Sequence, residues 1–574
     1  MAEQLSSRMS KAASAILSSS SQGKFLHGSK ETSKRLDLAT AENWLIRNEL
    51  VALYQDAIRD HMTAETLAYP EGLGGPPCLL EALATFFNTY FYPDNAVQPD
   101  DIVVTTGASL CLDALLFSIC EVGDSVLVTA PYWNGFDIHL VLRSGIKITP
   151  VHAASADIGK TPPNRLLESS LVPALTQAYE SHAEPSRIKA LVLTNPHNPF
   201  GRCYPEHVLR EAILWCGEKG IHYISDEVYA LSDFETSANG MSENGDAYDH
   251  ASLGNNHLNG VSPVSLPFVS ALSIDLEQGD ETDSGKKLVS SRPIDGVATA
   301  IGGQHKIPPI SVIWSTSKDL CSSGLRVGVF VGRRASQQPP SGRSLLTAAL
   351  SLLTTPHLPT ITTTLLTTSL LTSPSLPSLI QLNQARMREN RDTLARCLRR
   401  WRVEYVRTTS APFMFARLGC AVAGNHATSE DHGSKNCCTE DHEKLLVQLL
   451  REKAGVLVAA GGSFHLTDEA ASVGSTGDND QEQVRHNANG YENRPGAGWV
   501  RITFAVPRSV LMEALDRIAT VLDLDKTVLA DGDGREVKTN QIIPESPISW
   551  TGITVRFAQY IPLRMWKGLG RGRG

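Results

Sequence analysis

Apolar positions along this chain recur in two rhythms. Asn43–Arg59 (NWLIRNELVALYQDAIR) carries them at helical spacing. Leu79–Tyr92 and Asp113–Cys120 read as two further helices, the latter after the turn Thr106-Gly107. Short unbroken apolar runs come after: Ser125–Thr129 (SVLVT), Ala190–Thr194 (ALVLT), Ile221–Ser225 (IHYIS), Ser311–Trp314 (SVIW) and Val327–Val331 (VGVFV). Runs this short and this rich in β-branched residues suit strands covered on both faces. The alternation predicts an α/β fold around a mostly parallel central sheet flanked by helices.

Four stretches break the rhythm. Ser237–Val264 is rich in Asn, Gly and Ser, Leu276–Ile307 is charged and Gly-rich, and Gly419–Asp441 and Thr467–Gly496 are polar and acidic. None could bury a core, so they read as surface insertions. Ser341–Ser378 is biased to Leu, Ser and Thr and reads as helix plus loops, because its leucines need burial. The Ser-rich start, with Arg8 and Lys11 against Glu3, reads as an N-terminal arm rather than a transit peptide. The tail ending in GLGRGRG reads as a disordered end rather than a nucleic-acid patch.

Composition narrows the class. The chain of 574 residues has 41% hydrophobic and 20% charged residues, a globular balance. A net charge of −9 gives no basic field for nucleic acid. No run of apolar residues is long enough to span a membrane. Ten cysteines, with Cys437-Cys438 the one adjacent pair, are too sparse for a disulfide scaffold and suit a reduced, cytoplasmic protein. The 17 histidines show no metal-ligand spacing, so no metal site is expected.

Several polar motifs directly follow predicted strands, where α/β sheets bind ligands. After SVIW comes Ser315-Thr316-Ser317-Lys318-Asp319, with Arg326 downstream. A lysine there can form an imine with a carbonyl cofactor once its amine is neutral, and hydroxyls beside an arginine suit a phosphate. After IHYIS comes Asp226-Glu227-Val228-Tyr229: the carboxylate can pair with a protonated ring nitrogen, or simply cap a helix. After ALVLT comes Asn195-Pro196-His197-Asn198-Pro199-Phe200-Gly201, whose prolines force extended and turn geometry. Thr106-Gly107-Ala108-Ser109 opens a helix and offers backbone N–H groups to an anion.

Taken in order, T-G-A-S, P-Y-W, N-P-H-N-P-F-G, D-E-V-Y, S-x-S-K with an arginine downstream, and a late G-W-V-R resemble the fold-type-I pyridoxal-phosphate enzymes of the class I/II aminotransferase family. DLATAENWL, GDSVLVTAPYWNGFD, STSKDLCSSGLRVG and GGSFH resemble its 1-aminocyclopropane-1-carboxylate (ACC) synthase-like subgroup. The resemblance covers residues 36–525 outside the insertions. It implies a large cofactor-binding domain over 36–340 and a smaller α/β C-terminal domain over 341–525. The arm, 1–35, and the tail, 526–574, lie outside it.

The resemblance also implies roles. Lys318 is the cofactor-linked lysine, Asp226 the partner of the pyridine nitrogen, and Tyr229 and Asn198 the partners of the ring hydroxyl. Trp133 stacks on the ring, with Tyr132 the lesser choice. Ala108, Ser109, Ser315, Ser317 and Arg326 hold the phosphate. Tyr69 reaches the cofactor of the other subunit in a homodimer with shared sites. Arg501 holds the α-carboxylate of an amino-acid substrate, and Glu42 lies beside that substrate or caps the next helix. Three departures bear on the activity: Trp44 stands where ACC synthases carry Gln, Tyr69-Pro70-Glu71-Gly72 where they carry Tyr-His-Gly, and Leu110 where a glycine is usual. The expectation is a pyridoxal 5'-phosphate aminotransferase of a fungal-type secondary pathway. A C–S lyase or an ACC synthase-type lyase is the alternative. A non-catalytic binding protein of the same fold would be marked by loss of Lys318 or Asp226.

Overall fold

The computed structural model describes residues 35–153, 166–235, 266–276, 306–334, 342–354, 358–424, 440–466 and 498–530, with a few positions before residue 14. Of the expected insertions, Ser237–Val264 and Thr467–Gly496 lie outside the described residues, as does Leu276–Ile307 except at its ends, whereas Gly419–Asp441 is described at both ends, where Gly419–Gly424 is helical and Glu440 opens the helix Glu440–Leu449. Cys437-Cys438, most of the N-terminal arm and nearly all of the tail also lie outside. Asp37–Asp531 form one compact unit.

Its centre is a seven-stranded sheet of β1 (Ile102–Thr105), β2 (Ser125–Ala130), β3 (Lys147–His152), β4 (Ile188–Thr194), β5 (His222–Asp226), β6 (Ile310–Ser315) and β7 (Gly328–Gly332), in the order β1-β7-β6-β5-β4-β2-β3. The strands from β3 across to β6 pair in parallel, and β7 runs antiparallel to both β6 and β1. All five strands read from apolar runs are present. Two more, β1 and β3, are additions. Strand β3 (KITPVH) is an edge strand that is exposed or half-buried except at Val151 and contains a proline, so it lacks the unbroken apolar signature.

Alternation along the strands feeds two cores. Leu127, Leu191, Tyr223, Val312 and Trp314 face one side with Phe86 and Phe87 of α2 (Pro77–Tyr90) and Ile213 of α4 (Glu206–Lys219). Val126, Val128, Val192, Ile224 and Ile313 face the other with Leu112 and Leu116 of α3 (Ala108–Ile119). The helix read as Asp113–Cys120 therefore begins at Ala108, because Gly107 turns the chain at φ +105° directly after β1. The helix read from Asn43 begins at Arg47 (α1, Arg47–His61), which leaves Asn43 free to bond elsewhere.

Beyond the sheet, Leu345–Thr354 and Thr360–Leu365 are helical as expected; Leu350 and Leu365 are buried, but Leu345 and Leu352 are exposed, so burial holds for only part of the Leu-rich stretch. The long α5 (Leu376–Arg400) leads to a second, antiparallel sheet of β8 (Phe413–Ala416), β9 (Ala459–Ala460) and β10 (Val500–Thr503), closed by α6 (Arg508–Val521). No helix among the described residues is long and apolar enough to cross a membrane. Cys78, Cys111, Cys120, Cys203, Cys216, Cys321 and Cys397 are free.

One close approach sets the position of α3. A Cβ on Gly328 would lie 2.2 Å from the Gly107 carbonyl carbon and 2.5 Å from the Ala108 nitrogen. Only backbone could yield there, so Gly328→Ala must push α3 off the sheet edge. The expected loss is about 1–3 kcal/mol, the range for overpacking a tight interior. Urea unfolding checks it, and an unchanged midpoint would show that the contact is soft.

Candidate active site

Three strands of the central sheet end at the candidate site. Asp226 is the last residue of β5, pairing Ile313 of the neighbouring β6. Strand β6 then ends at Ser315, which caps a single helical turn, Thr316–Asp319, by accepting from the Ser317 N–H at 3.1 Å. That turn carries Lys318, whose Nζ donates to the Ala41 carbonyl. Asn198 follows β4 in the proline-bound loop. Arg501 comes from the second sheet: its Nη1 donates to Asn198 Oδ1 at 2.8 Å and its Nη2 to the Ala39 carbonyl at 2.6 Å. The sequence separations are large, so only the fold brings these groups together.

The electrostatics follow from burial. Asp226 is only 6% exposed. Burial pushes its carboxyl up to about 7, against the pull of the Val228 N–H and of the Lys318 charge. The Lys318 amine is pulled down to about 8, first by burial and next by the Arg501 charge. Glu42 and Asp226 resist, and Arg326 adds to the fall. Burial also raises the Tyr229 phenol, with Arg501 lowering it and Asp226 raising it again. Tyr229 packs edge-on against Phe413 at 5.4 Å. These mutual influences place Lys318, Asp226, Tyr229 and Arg501 within electrostatic reach of one another.

Two buried atoms among them have no hydrogen-bond partner: Asp226 Oδ1 and Arg501 Nε. An unmet carboxylate oxygen and an unmet guanidinium N–H are costly unless a ligand satisfies them. Pyridoxal 5'-phosphate fits that donor set, since its ring nitrogen suits Asp226, its aldehyde suits a lysine of lowered pKa, and a substrate carboxylate suits Arg501. The guanidinium is held rigid between two rings, 4.7 Å from the Phe413 centroid and 5.1 Å from that of Phe464.

The residues expected around the phosphate also gather. Ala108 and Ser109 open α3 with their amides at its positive end. Arg326, at φ +56°, donates to Ser323 O at 2.9 Å and to Thr106 O at 3.4 Å, and packs so tightly on Gly107 that a Cβ there would meet its Nη2 at 2.2 Å. Ser315 Oγ donates to Val327 O at 2.7 Å and lies 2.8 Å from the Ser317 hydroxyl. Leu110 sits in the first turn of α3.

Other expected residues stand differently. Trp133 stacks on His139 at 5.5 Å and meets Phe136 edge-on. Tyr132 instead stacks on His465 at 4.4 Å and donates to Asp137. Tyr69 is 88% exposed on this chain. Glu42 does not cap α1, whose N-cap is Ile46. It is saturated: Oε2 accepts from the Trp44 indole at 2.9 Å, and Oε1 takes Arg47 at 2.7 Å as well as the Ser323 hydroxyl. Asp226 caps no helix. His197 is buried and neutral, its imidazole depressed by burial to about 3.

Sequence reasoning passed over the second layer. Asn43 Nδ2 donates to the Lys318 carbonyl at 3.0 Å and to Asn383. The Ala39 and Ala41 carbonyls are contacts no motif could announce, because their side chains play no part. Phe464 lay within the quoted GGSFH motif and Phe413 in an apolar run; neither was linked to Arg501.

Known proteins share the family and the fold of this chain. The family model "Aminotransferase class I and II" matches residues 37–253 and 286–518. A probable aminotransferase, aclI, of Aspergillus oryzae is 36% identical over 498 residues, covering 87% of this chain and 93% of its own. 1-Aminocyclopropane-1-carboxylate synthase 1 of Oryza sativa subsp. indica is 30% identical over 304 residues, 53% of this chain and 50% of its own. The solved aspartate aminotransferase from Thermus thermophilus with maleate superposes with a TM-score of 0.57 at 19% identity, over 90% of this chain and 100% of that one, which bears out the fold.

A pH prediction follows from Asp226. Its folded pKa lies above the unfolded one, so the folded state keeps the proton longer. Stability of the cofactor-free chain is therefore undiminished by this group below about pH 4, falls as pH rises towards about 7, and stays reduced above it. Asn cannot ionise. Asp226→Asn without cofactor should thus melt higher than wild type at pH 8 and alike at pH 4. A variant less stable at pH 8 would mean that the carboxylate is satisfied as it stands.

Proposed function

The chain belongs to the class I and II aminotransferase family and is a pyridoxal 5'-phosphate-dependent enzyme; on that premise we propose that Lys318, Asp226, Tyr229, Asn198 and Arg501 transfer the amino group of an α-amino acid. The observation that carries this reading is the pair of unmet buried atoms, Asp226 Oδ1 and Arg501 Nε, flanking a lysine of lowered pKa. The relative from Aspergillus oryzae supports a fungal-type secondary pathway as the setting.

When bound, the cofactor supplies a conjugated ring that withdraws electrons from the substrate Cα. This chain's residues do the rest. Lys318 takes the Cα proton and returns it, a task suited to an amine near 8, which is readily freed of its proton near neutral pH. Asp226 keeps a proton on the ring nitrogen by ionising opposite it. Tyr229 and Asn198 bond the ring hydroxyl. The α3 amides, Ser315, Ser317 and Arg326 hold the phosphate. Arg501 keeps its Asn198 and Ala39 bonds and turns its remaining N–H groups to the substrate carboxylate.

Glu42 serves as a local anchor in this reading, because both its oxygens are engaged within the chain. Tyr69 reaches the site of a second subunit in a homodimer; its exposure supports that role. The division into domains over 36–340 and 341–525, and a cytoplasmic setting, stay part of the proposal.

The test is product identification by mass. Enzyme incubated with amino acids and 2-oxoglutarate should yield glutamate and the matching oxo acids, and Lys318→Ala should abolish this. Release of a thiol from cysteine conjugates, or ACC from S-adenosylmethionine, without glutamate would replace transamination by elimination or ring closure.

Arg501→Lys keeps the charge and loses the fork. It should raise KM for amino acids by a factor matching about 1.5–3 kcal/mol, the worth of a charged hydrogen bond, with cofactor absorbance unchanged. Weakened cofactor binding at unaltered KM would place Arg501 elsewhere in the mechanism.

A further inference from the structure

Asp319 adjoins Lys318, yet no role for it follows from the chemistry above. Its side chain is only 1% exposed and turns away from solvent into a nest of donors. Oδ2 accepts from the Leu231 N–H at 3.0 Å and from the Trp314 indole at 2.9 Å, and Oδ1 from the Ser232 hydroxyl at 2.7 Å. Leu231 and Ser232 belong to the loop that begins at Asp226 and includes Tyr229, and the Ser232 N–H donates in turn to the Tyr229 carbonyl at 3.0 Å. Trp314 lies on β6 and is wedged among Phe86, Phe87 and Phe91 at 4.7, 5.8 and 6.3 Å. We propose that Asp319 is a positioning residue, a carboxylate bracket that fixes the Lys318 turn against the Asp226–Ser232 loop and so sets the place of the Lys318 amine relative to Asp226 and Tyr229.

Three features support the bracket. First, its donors come from two elements, the Asp226–Ser232 loop and β6, and it joins them beyond Asp226, where the β5–β6 ladder ends. Second, the outer side of the same turn is clamped separately. Asn43 Nδ2 donates to the Lys318 carbonyl at 3.0 Å and Asn383 Nδ2 to the Asp319 carbonyl at 3.2 Å. The backbone of Lys318-Asp319 is thus held from α5 and the N-terminal segment, and its side-chain direction from the Asp226 loop. Third, both oxygens are engaged by chain donors, so Asp319 offers nothing to substrate or cofactor; apart from holding the Lys318 turn, its charge helps raise the Tyr229 phenol.

On Lys318 the bracket works by hydrogen bonds rather than by charge. Asp319 is not among the charges that act on the Lys318 amine; those are Arg501, Glu42, Asp226 and Arg326. Asparagine can reproduce the pattern. Its carbonyl oxygen takes both N–H donors, and its amide faces Ser232, whose hydroxyl can turn to accept. Leucine reproduces none of it.

The experiment therefore compares Asp319→Asn, Asp319→Leu and Ser232→Ala in the full-length protein by two measurements. Holoenzyme kinetics give kcat and KM. In the cofactor-free chain, acetylation of Lys318 by acetic anhydride across pH, read by peptide mass, gives the midpoint of its amine. Wild type should titrate near 8. In Asp319→Leu the amine leaves its niche and gains water, so the midpoint should rise by about one unit or more towards the ordinary lysine value near 10.4. Its kcat should fall about tenfold to a hundredfold, as for a reacting group displaced by about an ångström, with KM little changed. Ser232→Ala should move both readings the same way by less, and Asp319→Asn should restore both.

Folded Asp319→Leu with wild-type kcat and midpoint would overturn the proposal, as would Asp319→Asn as impaired as Asp319→Leu. If Asp319→Leu does not fold, Ser232→Ala decides by the same two readings. The proposal rests on Lys318 as the reacting lysine. That reading fails separately, through an active Lys318→Ala, whereas failure of the bracket leaves Lys318→Ala inactive and the Asp319 variants normal.

Discussion

The structure is organised around one electrostatic constraint: a carboxyl and an amine buried together at the carboxyl ends of two adjacent parallel strands. Asp226 ends β5 and Lys318 sits just past the end of β6. Neither charge is comfortable there. Burial raises the acid towards 7 and lowers the base towards 8, so the pair stands close to the pH at which either could change state. A third charge, Arg501, further depresses the lysine. Holding three such groups in place needs a stiff frame. The parallel ladder supplies it on one side, and on the other the Phe413 and Phe464 rings enclose the guanidinium. The tight contact of Gly328 with Gly107 brings the amide end of α3 to the same edge.

Much of this is legible in the sequence. Strands buried on both faces announce themselves as short apolar runs, and polar residues directly after such runs mark the edge where ligands bind. Lys318, Asp226 and Asn198 were read that way. What escaped notice has physical reasons. Edge strand β3 is half-exposed and interrupted by Pro150, so it lacks the apolar signature. The Asn43 contact appears only once α1 is seen to start at Arg47. The carbonyls of Ala39 and Ala41 are backbone acceptors, chosen by the path of the chain and not by residue type.

The departure at Trp44 gains a meaning from its surroundings. The indole N–H is spent on Glu42, and the Arg47 guanidinium lies 4.2 Å above the indole ring while pairing with the same carboxylate. Ser323 adds a third donor. Burial alone would raise the Glu42 carboxyl, but Ser323, Arg47 and Trp44 together hold it below the ordinary value. A carboxylate so engaged remains ionised and steady, and its charge still bears on Lys318. Its influence on the chemistry is thereby electrostatic and at a distance.

Perturbed titration alone would not have located the site. Burial lifts three carboxyls in this region, Asp226, Glu227 and Asp319, to about the same value near 7. Hydrogen bonding separates them. Glu227 takes the Ser270 hydroxyl at 2.6 Å and the Ala271 N–H at 2.8 Å, which ties the segment around Ser270 to the sheet. Asp319 takes three donors. Asp226 alone keeps a buried oxygen with no partner. A buried carboxylate whose oxygens are all met by the chain contributes to the frame. One that the chain leaves unmet carries a standing cost that a bound ligand can relieve. The same distinction applies to the guanidinium of Arg501, where Nη1 and Nη2 are anchored and Nε is not. Other buried atoms among the described residues, such as Thr316 Oγ1 and Thr363 Oγ1, also lack a partner, so the unmet atoms of Asp226 and Arg501 point to a ligand only together with the lysine of lowered pKa on which both charges act.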